Sequence, residues 1–350
     1  MNFKKIVDHC VKHRFLSPSF NQLSFLGDAL QQRIEQEWYT SNVIQNTNCL
    51  FINNSSITQV NVELVQLLMN ARTLMGSDNS ISLASSTSVR KPTKPTKDLT
   101  TVSDLIEALP KTQLNLCILT PPARVIDEFI HLQKIRRRWW KSYLQQPVLL
   151  NATSVAVNDK NDPFLEQKIE FGSSVLGSQP LEVLKLYKPD IFDHWQLSDD
   201  MKKSLLVKFQ RKSSWPSLIT SQVELELAVF FFLTDAFFIR NKASVLSLHK
   251  SLAPYAVGVV VEGSPSRVVE LEDLRRLMSL EFKQAKIPVL PLSAPWTIAQ
   301  CDARGLNYLI FLSDSTLEQG ICGLRSRDTS LQEQVHVSDV VERLKKFLVK

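Results

Sequence analysis

From residue 256 to its end the chain alternates strand-length apolar runs with amphipathic stretches, a rhythm that few architectures accommodate. Ala256 to Val261 is a continuous apolar run, Val268 to Lys286 places apolar residues at helical spacing, and Ile287 to Leu292 is a second strand-length run. A short helix over Ile298 to Arg304 leads to a third strand over Leu306 to Leu312. Gly320 to Arg327 and Glu333 to Val337 follow as strands, and Ser338 is expected to cap a closing helix through Val349. Such alternation predicts an α/β domain, a mixed sheet with helices packed against it. We place it at 246–350 and expect a separate domain over 1–245.

The first 245 residues are less regular. Lys4, Lys5, Lys12, His13 and Arg14, with Ile6, Val7, Cys10 and Val11 at helical spacing, predict a basic amphipathic helix. It reads as an ordinary first helix ending at Phe15-Leu16-Ser17-Pro18, or as part of a mitochondrial targeting helix. Asp28 to Val43 predicts a second helix, with Leu30, Ile34, Trp38 and Ser41 on one face. Val60 to Met75 can form another. Residues 77–101 turn to Ser, Thr, Lys and Pro and are expected to be a mobile loop, because such a segment buries too little apolar surface to offset its ordering. Leu114 to Leu119 predicts a buried strand, Thr120-Pro121-Pro122 starts a helix, and 151–162 reads as a polar loop.

Lys and Arg outnumber Asp and Glu, 41 to 35, which favours an acidic partner without proving one. No apolar run reaches the ~18–20 residues of a membrane span; the nearest, Leu225 to Ile239, contains Glu226 and Asp235, and a soluble protein is expected. Five scattered cysteines without CxxC or CxH spacing argue for a reducing compartment and against a structural zinc site. The six histidines show no HExxH or paired metal spacing, so no metal or other cofactor is expected. Asp199-Asp200 reads as the acidic first turn of a helix, and Phe230-Phe231-Phe232 with Phe237-Phe238 as core packing.

One stretch stands out for binding. After Pro122, Val125, Phe129, Leu132, Trp139 and Tyr143 share one helical face while Lys134, Arg137, Arg138 and Lys141 gather opposite. Cations of one sign repel one another without an anion nearby, so a nucleic-acid phosphate backbone is the expected partner. Lys202 and Lys203, with Lys208, Arg211 and Lys212, form a second acid-free stretch expected to join the same surface.

Several segments together carry a family resemblance. Leu248-His249-Lys250-Ser251-Leu252-Ala253-Pro254, Thr316-Leu317-Glu318-Gln319-Gly320, and Leu324-Arg325-Ser326-Arg327-Asp328-Thr329 with Gln334-Val335-His336-Val337 resemble the anticodon-binding domain of class IIa aminoacyl-tRNA synthetases of the glycyl type. They resemble more closely the accessory subunits of mitochondrial DNA polymerases, which share that fold. Arg14-Phe15-Leu16-Ser17, Glu37-Trp38-Tyr39-Thr40-Ser41, Thr120-Pro121-Pro122 and Arg137-Arg138-Trp139-Trp140-Lys141 extend the likeness through the N-terminal half.

The resemblance implies an N-terminal α+β domain with an antiparallel sheet, a C-terminal anticodon-binding-like α/β domain, and a place in the mitochondrial matrix nucleoid. It implies two partners, the polymerase catalytic subunit and primer-template DNA. The arginines that clamp ATP in the synthetases have no counterpart: Leu227 and Ala228 stand at one place, and only Arg90 is near the other. A non-catalytic protein is therefore expected. Arg325, Arg327 and Asp328 are the candidate interface with the catalytic subunit; Lys134, Arg137, Arg138, Lys141, Lys202 and Lys203 are the DNA-binding candidates. Dimeric relatives carry a helical insertion between the equivalents of Val43 and Leu114, which is too short here, so a monomer forming a one-to-one complex is expected. The alternative is a synthetase relic or tRNA-binding paralogue.

Overall fold

A computed structural model of the chain describes residues 3–52, 61–75, 80–89, 101–155, 164–173, 177–187, 189–192, 197–209, 212–290 and 296–348. They form two compact units, one of Met1–Lys5, Ser17–Leu23 and Ile34–Phe231, the other of Ile6–Leu16, Ser24–Arg33 and Phe232–Lys350.

Helices α1 (Phe3–Lys12) and α2 (Phe25–Tyr39) come first, and α2 ends in a π turn at Thr40–Ile44. Strand β1 (Cys49–Phe51), helix α3 (Val62–Met75), strand β2 (Ile81–Val89), helix α4 (Val102–Ala108) and strand β3 (Lys111–Thr120) follow. Helix α5 (Val125–Tyr143) precedes strands β4 (Leu150–Val155), β5 (Phe164–Ser173) and β6 (Gly177–Tyr187). Then come α6 (Asp199–Leu205), the small hairpin β7 (Val207–Phe209) and β8 (Lys212–Ser214), β9 (Ser217–Glu224) and α7 (Leu225–Ala236).

The first unit is built on a seven-stranded sheet of order β1-β2-β3-β9-β6-β5-β4, antiparallel except for the β1–β2 pair. Near its centre, β3 buries every residue from Leu114 to Thr120, so both its faces are covered. On one face, Cys117 and Leu119 join a core with Ile81, Leu83, Leu64, Val65 and Leu68 of α3, and Leu205 of α6.

Two expectations about this unit are corrected. The segment 77–101 is not a single mobile loop: Ile81–Val89 is β2, paired along its whole length with β3, and Thr101 caps α4. Composition hid this strand because its small hydroxyl side chains fit a covered sheet; Ser82, Ser85 and Thr87 are buried beside Ile81 and Leu83. Residues 90–100 lie outside the described set. Within 151–162, residues up to Val155 belong to edge strand β4, whose backbone pairs with β5 although Asn151, Thr153 and Ser154 are polar; 156–162 lie outside the described residues.

The apolar run after Glu224 also divides. Leu225 to Ala236 is helical and almost wholly buried, but Phe237–Arg240 is strand β10, turning at Asn241-Lys242 into β11 (Ala243–Leu246). Both turn residues have positive φ, 49° and 66°, the geometry of a tight two-residue hairpin.

In the second unit, strand β12 (Val257–Val261), helix α8 (Val268–Gln284), strand β13 (Val289–Leu290), helix α9 (Ile298–Asp302) and strand β14 (Tyr308–Leu312) follow the expected order. Helix α10 (Asp314–Gln319), absent from the sequence reading, precedes β15 (Ile321–Ser326), β16 (Gln332–His336) and α11 (Val340–Leu348). Gly320 ends α10 at φ 71°, where a β-carbon would run into the His336 ring. His336, not Ser338, caps the turn before α11.

The sheet order is β13-β12-β14-β15-β16, with β12 parallel to β13 and β14 and the rest antiparallel. Leu271, Met278 and Phe282 of α8 and Val340 and Leu344 of α11 pack with Val257, Val259, Ile310 and Leu324. Val260, Leu309 and Phe311 face a smaller cluster with Leu290, Cys301 and Leu306. Ile6, Val7 and Cys10 of α1 are buried, and His9 bonds Ala303 and Ser244, so α1 is integral to the fold. Among the described residues no helix is long and apolar enough to cross a membrane, and no group of acidic, His or Cys side chains is arranged to hold a metal ion.

Candidate nucleic-acid and partner surfaces

Helix α5 is oriented by its ends. Pro121 and Pro122 set the entry turn, Asp127 and Glu128 sit in the first turn and Lys141 in the last, which suits the helix dipole. Phe129, Leu132, Trp139 and Trp140 are buried, and Val125 and Tyr143 are half-buried. Opposite them Lys134, Arg138 and Lys141 are exposed, while Arg137 is half-buried with its Nε unpartnered.

The sequence reading missed Arg136. Eleven residues after Val125, it returns to within about 20° of that residue on the wheel, and it is fully buried. Its Nε donates to Glu182 Oε1 at 2.7 Å and its Nη1 to Asn42 Oδ1 at 3.3 Å. Trp140 Nε1 donates to Glu182 Oε2 at 2.7 Å, and Ser221 Oγ donates to Oε1. Helix phase alone thus separates three consecutive arginines into one internal anchor, one boundary residue and one solvent cation.

Beside this anchor a cavity of about 290 Å³ lies between α5 and the sheet, lined by Asn42, Gln45, Asn48, Ser82, Glu128 and His131 among others. Leu116 and Ile118 of β3 also line it, together with Leu132 and Ile135. The alternate β3 residues, Cys117 and Leu119, pack toward α3 and α6. Helices α5 and α6 therefore cover opposite faces of one sheet.

Lys202 and Lys203 are exposed in the last turn of α6, which Ser198 caps, but they do not extend the α5 face as expected. Arg211 lies outside the described residues.

At the positions where the synthetase likeness calls for a phosphate-binding arginine and its glycine, α7 carries Leu227 and Ala228, 8% and 1% exposed. Neither side chain can hold a phosphate. Arg90 lies outside the described residues.

The arginines at the end of β15 are turned inward. Arg325 makes a two-pronged pair with Asp302 of α9, Nη1 to Oδ1 and Nη2 to Oδ2, both 2.9 Å. Arg240 of β10 reaches the same carboxylate at 2.7 Å. Arg327 Nη1 donates to the carbonyls of Leu246 and Gly305 and Nη2 to that of Leu248, each at 3.0 Å; Nε and Nη2 also reach Asp328 Oδ1. All five guanidinium donors are used inside the unit. Arg325 and Arg327, candidates for the partner interface or its support, are both buried fasteners. Asp328 is exposed.

Sequence comparisons bear on these surfaces together. Residues 281–347, which include Arg325, Arg327 and Asp328, match the anticodon binding domain family. A Drosophila melanogaster protein named mitochondrial DNA polymerase subunit gamma-2 is 25% identical, the match covering 67% of this chain and 66% of the relative. The Xenopus laevis and Mus musculus gamma-2 subunits are 24% and 26% identical, over 61% and 69% of this chain. The chain is similar to gamma-2 subunits of DNA polymerase. The likeness to the fly and mouse proteins takes in more of the chain than either compact unit contains, so it reaches residues of both. The matches span 66%, 48% and 53% of the fly, frog and mouse relatives.

Proposed function

We propose that this chain is a non-catalytic accessory subunit of mitochondrial DNA polymerase, acting in the matrix nucleoid. The observation that carries the reading is the similarity, across both units, to proteins named as gamma-2 subunits of that enzyme. The anticodon-binding-like domain, proposed as 246–350, docks on the catalytic subunit. Arg325 and Arg327 support this docking from within by fixing β15 to α9 and to the 246–248 segment. Asp328 is the member of that trio offered to the partner.

The exposed cations of α5 contribute phosphate contacts to primer-template DNA, with Lys202 and Lys203 as a separate patch. Tethering of this kind raises processivity by slowing dissociation, with no chemistry supplied by the accessory chain. The free chain is proposed to be a monomer, joining the catalytic subunit one to one. The apolar face of α3 supports this, because Leu64, Val65, Leu68 and Ala71 are already spent on their own core.

The match of 281–347 to an anticodon binding domain favours a second reading, a tRNA-binding relic of a glycyl-type synthetase. Primer extension by the purified catalytic subunit on a primed single-stranded template, with and without this chain, decides between the two. Longer products per binding event and no glycine-dependent ATP–pyrophosphate exchange are expected. Unchanged product length, with tRNA bound far more tightly than primer-template, would support the relic instead.

A further inference from the structure

The end of α1 meets the turn after α9 in a corner crowded with cations. His9 fixes the geometry: its Nε2 lies 2.9 Å from the Ala303 carbonyl and its Nδ1 3.0 Å from Ser244 Oγ. His13, one turn later, packs on His9 with ring centroids 4.5 Å apart. Arg304 directly follows Ala303, so the Lys12-His13-Arg14 segment comes to its side. The Arg304 guanidinium lies 4.0 Å over the Trp296 ring and donates to Gln300 O at 2.9 Å.

Among the described residues no carboxylate pairs with Lys12, Arg14 or Arg304. Asp302, two residues before Arg304, is spent on Arg325 and Arg240. Asp8, one turn before Lys12, is exposed and forms no ion pair with it. The crowding registers on its members. Burial draws Arg304 below the usual arginine range, opposed by Cys301 and reinforced by Arg14. Burial, then His9, Arg304 and Lys12, draws His13 down to about 3. The His13 ring is 5% exposed, and its buried Nδ1 has no hydrogen-bond partner.

Arg14 adds a conformational argument. It closes α1 in the left-handed region at φ 65°, with the Phe15 amide returning to Cys10 O at 2.8 Å. Glycine is the favoured residue at such a position, yet an exposed arginine stands there. Helix-end electrostatics accounts for each of these cations singly, and not for three drawn together without an acid.

We propose that Lys12, Arg14 and Arg304 form a phosphate-binding corner that receives successive backbone phosphodiesters of one nucleic-acid strand, distinct from the α5 face. Arg304, held against Trp296 and half-buried, gives the corner a fixed donor; Lys12 and Arg14 close on the strand from solvent. The occupant is a strand and not a free ion, because two of the three cations are exposed and can follow a chain of phosphates running past them.

Anisotropy titrations of labelled duplex DNA with the full chain, repeated across a salt series, test this. Arg14→Gly is the sharp variant, since glycine suits the left-handed position and removes the side chain and its charge without straining the backbone. It is expected to melt no lower than the parent while the slope of log affinity against log salt falls by about 0.9. Lys12→Gln with Arg14→Gly and Arg304→Gln should lower the slope by about 2.7 and weaken binding by roughly a few hundredfold near 0.1 M salt. Unchanged affinity and slope in both variants, or no DNA binding by the parent at low salt, would overturn the proposal. So would inorganic phosphate that competes as well as an equal concentration of oligonucleotide phosphate. A chain that binds DNA through this corner but fails to stimulate the polymerase would lose the accessory-subunit reading and keep this one.

Discussion

Arg136, Arg137 and Arg138 on α5 and Arg325 and Arg327 at the end of β15 are two arginine-rich stretches, and the fold uses them differently. On α5 the period of 3.6 turns successive side chains by about 100°, so Arg136 reaches Glu182 in the core while Arg138 faces solvent. At β15 the spacing is two, so both arginines point the same way, and both go inward to Asp302 and a ring of carbonyls. A cluster of cations is thus no measure of exposed charge. Element period decides which face each residue takes, and the acceptors available there decide whether burial is tolerated.

The buried set should be sensitive to deletion and the exposed set should not. The largest effect is expected at Arg327. Arg327→Ala strips donors from three main-chain carbonyls and from Asp328, and should cost about 3–5 kcal/mol. Arg327→Lys should recover little, because one ammonium cannot reproduce the planar fork. Urea unfolding measures both; a loss below about 1 kcal/mol for the alanine variant would break the comparison.

Arg136→Ala should cost about 3–5 kcal/mol as well, since it leaves the Glu182 carboxylate buried without its cation. Replacing the pair together, Arg136→Met with Glu182→Gln, should cost clearly less, because no charge is then stranded. Equal losses in the single and double variants would mean that packing, and not charge, is what Arg136 supplies.

Much of this division was open to sequence reasoning. The order of strands and helices after residue 256 follows from apolar periodicity, and the α5 amphipathicity followed from the same count. The same wheel, had it been carried to Arg136, would put that residue on the apolar face, but nothing in the sequence names Glu182, 46 residues away on β6, as the acceptor that makes burial tolerable. Arg325 shows the same limit, because its partner Asp302 is brought to it by the connection from β13 through α9 to β14, which crosses β12. Strand β2 was missed for another reason: serine and threonine signal a loop by composition, while a sheet covered on both faces accepts them as small side chains.

A smaller, pH-dependent effect sharpens the contrast between buried and exposed nitrogen bases. Burial draws His9 down to about 4, opposed by its bond to Ala303 O and reinforced by Lys12 and Arg304, and draws His13 to about 3. Unfolded imidazoles take up protons near pH 6.5. The unfolded chain therefore binds more protons between these values, and stability should be level above about pH 6.5 and fall as pH drops toward 3. Urea midpoints at pH 7 and pH 5 read this directly, and His9→Asn with His13→Asn should flatten the dependence. An unchanged slope in that variant would place the acid sensitivity elsewhere.

The smallest stability change is expected on α5. Lys134→Gln, Arg138→Gln and Lys141→Gln should each alter stability by no more than about 0.5 kcal/mol. Together they should flatten the salt slope of DNA binding by about 2.7. Lys202→Gln with Lys203→Gln, on the opposite face of the sheet, should act independently of them. Coupling between the two sets would mean that one DNA segment spans both faces.

The central claim is that this chain holds the catalytic subunit of a DNA polymerase, and sedimentation equilibrium of the two purified proteins tests it most directly. A single complex is expected, heavier than the catalytic subunit by one chain of 39.8 kDa. Two independently sedimenting species at micromolar concentration would contradict the account.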